Sequence, residues 1–200
     1  FSAYLSCGTW SLLGLELENP IINEKSSKLN FTNEGGVDDT IRLLKNINGL
    51  WIIQQVRRAW NEANHDVSFE DIINAEQGAE RNAFRIEPDD PRFMAPENMV
   101  DEVVAFCREH GQGQPSDLGE IAIAVYNGLA TKYAQTIDEL EELIDAEVEN
   151  INMVGGGTQD TLLCQLTADV TGKKVIAGPI EASVLGNSIV QFIAGGYIED

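Results

Sequence analysis

Basic side chains are scarce in this chain. Thirteen lysines and arginines stand against 33 aspartates and glutamates, a formal net charge of -20. Such a field repels phosphodiester backbones and anionic bilayer surfaces, which argues against nucleic-acid and membrane partners. It leaves a nucleotide open as a ligand, because a divalent cation and backbone N–H groups carry phosphates without entering a charge count. Cysteine is sparse too. Cys7, Cys107 and Cys164 are far apart, odd in number and outside any C-x-x-C pair, so neither a disulfide framework nor a zinc site is indicated, and a reducing cytoplasm fits best. The two histidines, His65 and His110, lack metal-ligand spacing. There is no P-loop, no G-x-G-x-x-G fingerprint and no G-x-S-x-G elbow. No apolar run approaches the ~20 residues of a membrane span, no signal-peptide pattern is visible, and no internal repeat occurs.

What is present is ordinary globular material. Hydrophobic residues make up 43% and charged residues 23% of 200, enough to bury a sizeable core. The chain opens at Phe1 on an apolar run and closes at Asp200 after a helical pattern, so both ends read as cut from something longer.

Ala3 to Leu17 reads as two strands joined by the turn Ser6-Cys7-Gly8-Thr9. A polar loop through Lys25–Lys28 leads to a turn at Asn33-Glu34-Gly35-Gly36. Ile41 to Ile47 suits a short strand or a helix entrance. Helices are expected over Leu50–Trp60, over Ser68–Gly78 with Ser68 or Asp66 as cap, and over Glu97–His110 after Pro96. Arg85 to Pro96, with three prolines, should be irregular. Asp117 and Glu120 have capping-box spacing and open a long helix toward Ala146, with a break near Thr136. The last fifty residues alternate: an apolar strand Ile151–Val154, Gly155-Gly156-Gly157, a helix Thr161–Thr171 stopped by Gly172, a strand Lys174–Ala177, Gly178-Pro179, and a helix Glu181–Ala194. This alternation predicts an α/β layered fold.

Two turns have the composition of ligand-binding elements. Ser6-Cys7-Gly8-Thr9 lets backbone N–H groups and the Thr9 hydroxyl approach a phosphate closely, although a plain hairpin turn uses the same residues. Gly155-Gly156-Gly157, between a strand and a helix N-terminus, lets a ligand lie against the backbone and favours an anion or polar group at the helix start, although a structural triple-glycine turn uses the same residues. Small residues Ala182, Ser183 and Gly186 suit close packing of the last helix. Trp10, Trp51 and Trp60 read as core or half-buried. Asp89-Asp90 suits a turn more than a cation site, and His110 suits a helix end.

The wording of several blocks goes further. Tyr4-Leu5-Ser6-Cys7-Gly8-Thr9-Trp10-Ser11-Leu12, Thr32-Asn33-Glu34-Gly35-Gly36, Arg42 through Trp51, Val154 through Gly157, Gln165 through Asp169 and Ile176 through Ala182 resemble, in this order, the rhamnulokinase branch of the FGGY carbohydrate kinases. The resemblance runs over nearly the whole chain. It implies an actin-like (ribonuclease-H-like) domain, a mixed sheet flanked by helices, with residues 1–200 forming the C-terminal nucleotide-binding domain of two. It implies transfer of the γ-phosphoryl group of ATP, with Mg²⁺, to the 1-hydroxyl of L-rhamnulose. It carries Thr9 to the ATP phosphates, Asn46 and Gln54 to the neighbourhood of the nucleotide, and Gly156, flanked by Gly155 and Gly157, to the nucleoside portion. The catalytic Asp and most sugar contacts would precede Phe1. A xylulokinase- or fuculokinase-like ketose kinase and a non-catalytic actin-like switch are the alternatives. Cys7, Asn48 and Asp160 depart from the family wording, and Asp160 beside ATP would have to face solvent or the ribose. The resemblance requires Thr9 and Gly156 to wall one common pocket.

Overall fold

A computed structural model describes residues 1–63 and 66–199; His65 lies outside them. Six strands form one mixed sheet: β1 (Ser2–Cys7), β2 (Trp10–Leu17), β3 (Thr32–Gly35), β4 (Ile41–Asn48), β5 (Asn150–Val154) and β6 (Lys174–Ala177), in the spatial order β3-β4-β2-β1-β5-β6. The four sequence-early strands pair antiparallel, while β5 and β6 run parallel to β1. Parallel pairing requires a long crossover, and the segment between β4 and β5 supplies it as helices. The helices are α1 (Glu24–Lys28), α2 (Trp51–Glu62), α3 (Phe69–Glu76), α4 (Met99–Glu109), α5 (Leu118–Ile144), α6 (Thr161–Thr171) and α7 (Ala182–Ala194), with short 3-10 turns at Pro91–Phe93 and Gly156–Gln159.

Alternation along the strands decides which face is covered. Ala3, Leu5 and Cys7 of β1 and Ser11, Leu13 and Leu15 of β2 are fully buried, with Leu43 and Ile47 of β4 beside them. Against this face lies α5, whose inward side (Ile121, Val125, Leu129, Tyr133, Ile137, Leu140) belongs to the same core. The buried Ser11 is satisfied there: its Oγ lies 2.6 Å from the Tyr133 hydroxyl, and Cys7 Sγ lies 3.6 Å from the same oxygen.

Several boundaries differ from the sequence reading for local reasons. The polar segment at Lys25–Lys28 is helical, because Asn23 and Ser26 form a reciprocal capping box. Asn33–Gly35, expected in a turn, forms the edge strand β3, and the reversal sits just after it, where Gly36 N–H donates to Thr40 O at 2.8 Å and Asp38 and Asp39 take positive φ. Helix α4 begins at Met99 rather than after Pro96, because the Asn98 side chain accepts from Val100 and Asp101 N–H. Helix α5 runs unbroken through Thr136, whose hydroxyl donates back to Lys132 O at 2.9 Å. Its start is capped by Asp117, but Glu120 reaches Ser116 rather than Asp117, so the box is only half formed. Trp10 is 48% exposed, not core.

The proline-rich stretch is irregular, as expected, and is tied down from two sides. Buried Asn48 donates to Pro88 O at 3.1 Å, and its N–H donates to Asp89 Oδ1 at 3.1 Å. Lys132 of α5 pairs with Glu87 and Asp89 at 3.1 and 2.9 Å. Asp90 accepts from Arg92 N–H, so both aspartates serve the turn. Helix α7 departs most from expectation. None of its residues is buried, and Gly186 meets nothing, so its small residues make no close packing among the described residues.

Candidate functional site

Four turns gather at the C-terminal ends of β1, β5 and β6, the end where parallel sheets bind ligands. The β1–β2 turn is clasped by the start of α2: Leu50 N–H donates to Gly8 O at 2.9 Å and Trp51 N–H to Thr9 O at 3.0 Å. Gly49 allows that approach, since a Cβ there would lie 2.7 Å from Ser11 N. On the other flank, Ser6 pairs in register with Val154, which brings Gly155-Gly156-Gly157 directly over Cys7. Gly155 has φ +91, and a Cβ on it would lie 2.7 Å from Cys7 O. A Cβ on Gly157 would overlap Cys7 Sγ, whereas one on Gly156 would meet nothing. Gly155 N–H in turn donates to Pro179 O at 3.1 Å, which adds the β6–α7 turn to the group.

Between these turns and α2, α3 and α5 runs a groove of about 380 Å³. Leu50, Ile53 and Gln54 form one wall, and Phe69, Glu70 and Ile73 a second; Gly156, Gly157, Gln159 and Asp160 face them, with Tyr126 also lining the groove. Thr9 is not among the residues that line it, but is joined to one that is: Gln54 Nε2 donates to Thr9 Oγ1 at 3.3 Å. Thr9, Gln54, Gly155, Gly156 and Gly157 are therefore brought together. Asn46 is not. It is exposed on β4, opposite Leu12 on the sheet face away from α5, and no hydrogen bond joins it to Thr9 or Gln54 among the described residues.

The start of α6 is taken by a polar group of the chain itself. Asp160 Oδ1 already accepts from Leu162 and Leu163 N–H at 3.0 Å each. Asp160 is 6% exposed and lines the groove beside Gly156 and Gly157; its departure from the family wording is that of a helix cap. Cys7 is buried, and burial pushes its thiol up to about 11, so it stays a thiol under the glycine turn.

Sequence reasoning passed over Glu76 and Tyr126. Glu76 is fully buried beside Asp160, and burial together with that neighbouring charge pushes its carboxyl up to about 9. Burial raises the Tyr126 phenol well above its ordinary value. A signal existed for Glu76: it follows Ile72 by four residues, on the inward face of α3. A larger cavity of about 850 Å³, lined by Arg85, His110 and Asn127 among others, shares no residue with the glycine turns. There His110 ends α4 and stacks on Phe106 with ring centroids 4.0 Å apart.

The groove suits a nucleotide. Its apolar walls match the faces of a base, its glycine floor admits a ligand to the backbone, and the Thr9 hydroxyl is bonded to its Gln54. Among the described residues no group of three or more His, Cys, Asp or Glu could hold a metal ion.

Comparison with known proteins gives a consistent result. A family model described as the FGGY family of carbohydrate kinases, C-terminal domain, matches residues 3–195. Rhamnulokinase of Oceanobacillus iheyensis is 44% identical over 199 residues, spanning 100% of this chain and 42% of that protein. Rhamnulokinases of Bacillus subtilis and Bacteroides thetaiotaomicron are 43% and 40% identical, each over 99% of this chain and 40% of their own length. The chain thus spans about two fifths of these relatives. Among solved structures, gluconate kinase from Lactobacillus acidophilus superposes with a TM-score of 0.69 at 15% identity, over 100% of this chain and 39% of that one. Plasmodium falciparum glycerol kinase with ADP gives 0.67 at 14%, over 99% and 39%. The actin-like fold is shared with these kinases.

Proposed function

The chain belongs to the FGGY family of carbohydrate kinases, and from that premise we propose that residues 1–200 are the ATP-binding half of an enzyme that phosphorylates L-rhamnulose at its 1-hydroxyl. The observation that carries this reading is the meeting of two turns on Cys7: the Thr9 turn extends its β-strand and bonds to Gln54 of the groove, and the glycine turn stacks on its side chain and lines the groove itself. The names of the 40–44% identical relatives support the choice of sugar.

In this reading the apolar walls at Leu50, Ile53, Phe69 and Ile73 take the base, Gly156 lets the nucleoside approach the backbone, and Thr9, oriented by Gln54, donates to the phosphates. Phosphoryl transfer rests on alignment and on spreading charge over the transferred group. These residues supply alignment on the nucleotide side. Mg²⁺, when bound, would neutralise phosphate charge. The base that removes the sugar hydroxyl proton, and most sugar contacts, would belong to the part of the relatives' length that this chain does not span. Asn46 would act from the exposed sheet face rather than from the groove.

The test is to assay the full-length protein with ATP, Mg²⁺ and a ketose panel. Preferential phosphorylation of L-rhamnulose is expected. Preference for xylulose or fuculose would assign the protein to a sister kinase, and phosphorylation of no sugar would overturn the reading.

A further inference from the structure

Three buried carboxyl oxygens lack a partner in one place. Both oxygens of Glu76, at the end of α3, make no hydrogen bond, and neither does Asp160 Oδ2. Glu76 is 1% exposed. The titratable groups near the pair are each other, the Tyr126 hydroxyl from α5, and the thiols of Cys7 and Cys164 near Asp160; no cation is among them. Two carboxylates cannot both stay ionised in a dry site without a counter-charge, so one holds a proton.

The backbone decides which. Asp160 Oδ1 accepts two N–H bonds at the start of α6, where a negative charge is favoured. Glu76 has no such support. The neutral acid is therefore Glu76, and its O–H is the donor that Asp160 Oδ2 lacks. Asp160 is also the end of the glycine turn: its N–H donates to Gly157 O at 3.2 Å. Whatever holds Asp160 holds Gly157 against Cys7, and Asp160 and Tyr126 both line the groove.

We propose that Glu76 is a positioning residue that shares one proton with Asp160, and that this proton keeps the glycine turn set for nucleotide binding and is lost in alkaline solution. The proposal rests on the nucleotide reading of the groove. Ionisation of Glu76 sets two negative charges against each other beneath the turn, and Asp160, with Gly157 attached, is driven from its place. Burial and the neighbouring charge put this loss near pH 9.

Titrating ADP calorimetrically into the full-length protein from pH 7 to 10.5 tests this. Wild-type affinity should hold to about pH 8.5 and then fall by up to about tenfold per pH unit above about 9, the limit for one linked proton. Glu76→Gln, whose amide donates to Asp160 with no proton to lose, should lose the alkaline limb. Infrared spectra at pH 7 should show a protonated-carboxyl carbonyl band in the wild type that Glu76→Gln lacks. An alkaline limb that survives in Glu76→Gln, or no such band in the wild type, overturns the proposal. If Glu76→Gln does not fold, a wild-type band that persists unchanged to pH 10.5 overturns it equally. Failure to bind ADP at pH 7 would instead count against the nucleotide reading, while the band would still report the shared proton.

Discussion

Gly157 has no room for a methyl group, because the thiol of Cys7 occupies that space. Gly157→Ala should destabilise the fold by about 1–3 kcal/mol, the usual cost of overpacking, measurable by urea denaturation. Adding Cys7→Ala should return part of that loss, and a double-mutant cycle would give the coupling. Thr9→Val in the full-length protein removes a hydroxyl aimed at charged phosphates. It should lower kcat/KM for ATP about 10- to 100-fold, the range for a lost hydrogen bond to a charged group. Asn187→Ala, on the exposed α7, should change it little; equal effects would remove Thr9 from the phosphate site. Glu76 adds a stability counterpart. Its folded pKa is raised, so its contribution is complete below the ordinary carboxylate value and is lost as pH rises toward about 9. The gain in Tm from Glu76→Gln should therefore be larger at pH 9 than at pH 5. The turns that carry Thr9 and the three glycines were legible in the sequence because turn chemistry is local. The pairing of Glu76 with Asp160 was not, because the two stand 84 positions apart and the chain between them must fold before they meet.

Among the elements, α2, α6 and β5 could be read from periodicity because each buries one face, whereas β6, read as a buried-type strand, has no buried residue. The edge strand β3 could not. Its residues are polar because an edge strand is solvated on one side, and that polarity imitates a turn. Asn33 also serves outside the ladder, exchanging two hydrogen bonds with Ile21. The start of α4 was misread because proline is a general helix opener, whereas the Asn98 side chain satisfies two N–H groups directly. Asn98→Ala should cost about 1 kcal/mol in thermal or chemical unfolding. Asn48 has a wider reach, since it fastens the 88–93 segment to the end of β4. Asn48→Ala strips Pro88 O of a buried donor and should cost about 1–3 kcal/mol, with faster proteolysis in the 85–96 stretch.

For the whole molecule, the strand, glycine-turn and helix alternation predicted the layered fold, and the motif order predicted the family. The groove itself was hidden, because its walls come from four separated segments that only the sheet topology brings together. The 200-residue chain alone should bind Mg-ATP weakly by calorimetry and phosphorylate no sugar, since sites that close between domains lose contacts when one is missing. Sugar turnover by this chain would show that the division of labour is wrong.

Because one small side chain at the end of the central β1 supports both turns, the two share a single pivot. A substitution that shifts that strand end should therefore disturb the Gly8-Thr9 turn and the Gly155–Gly157 turn at once.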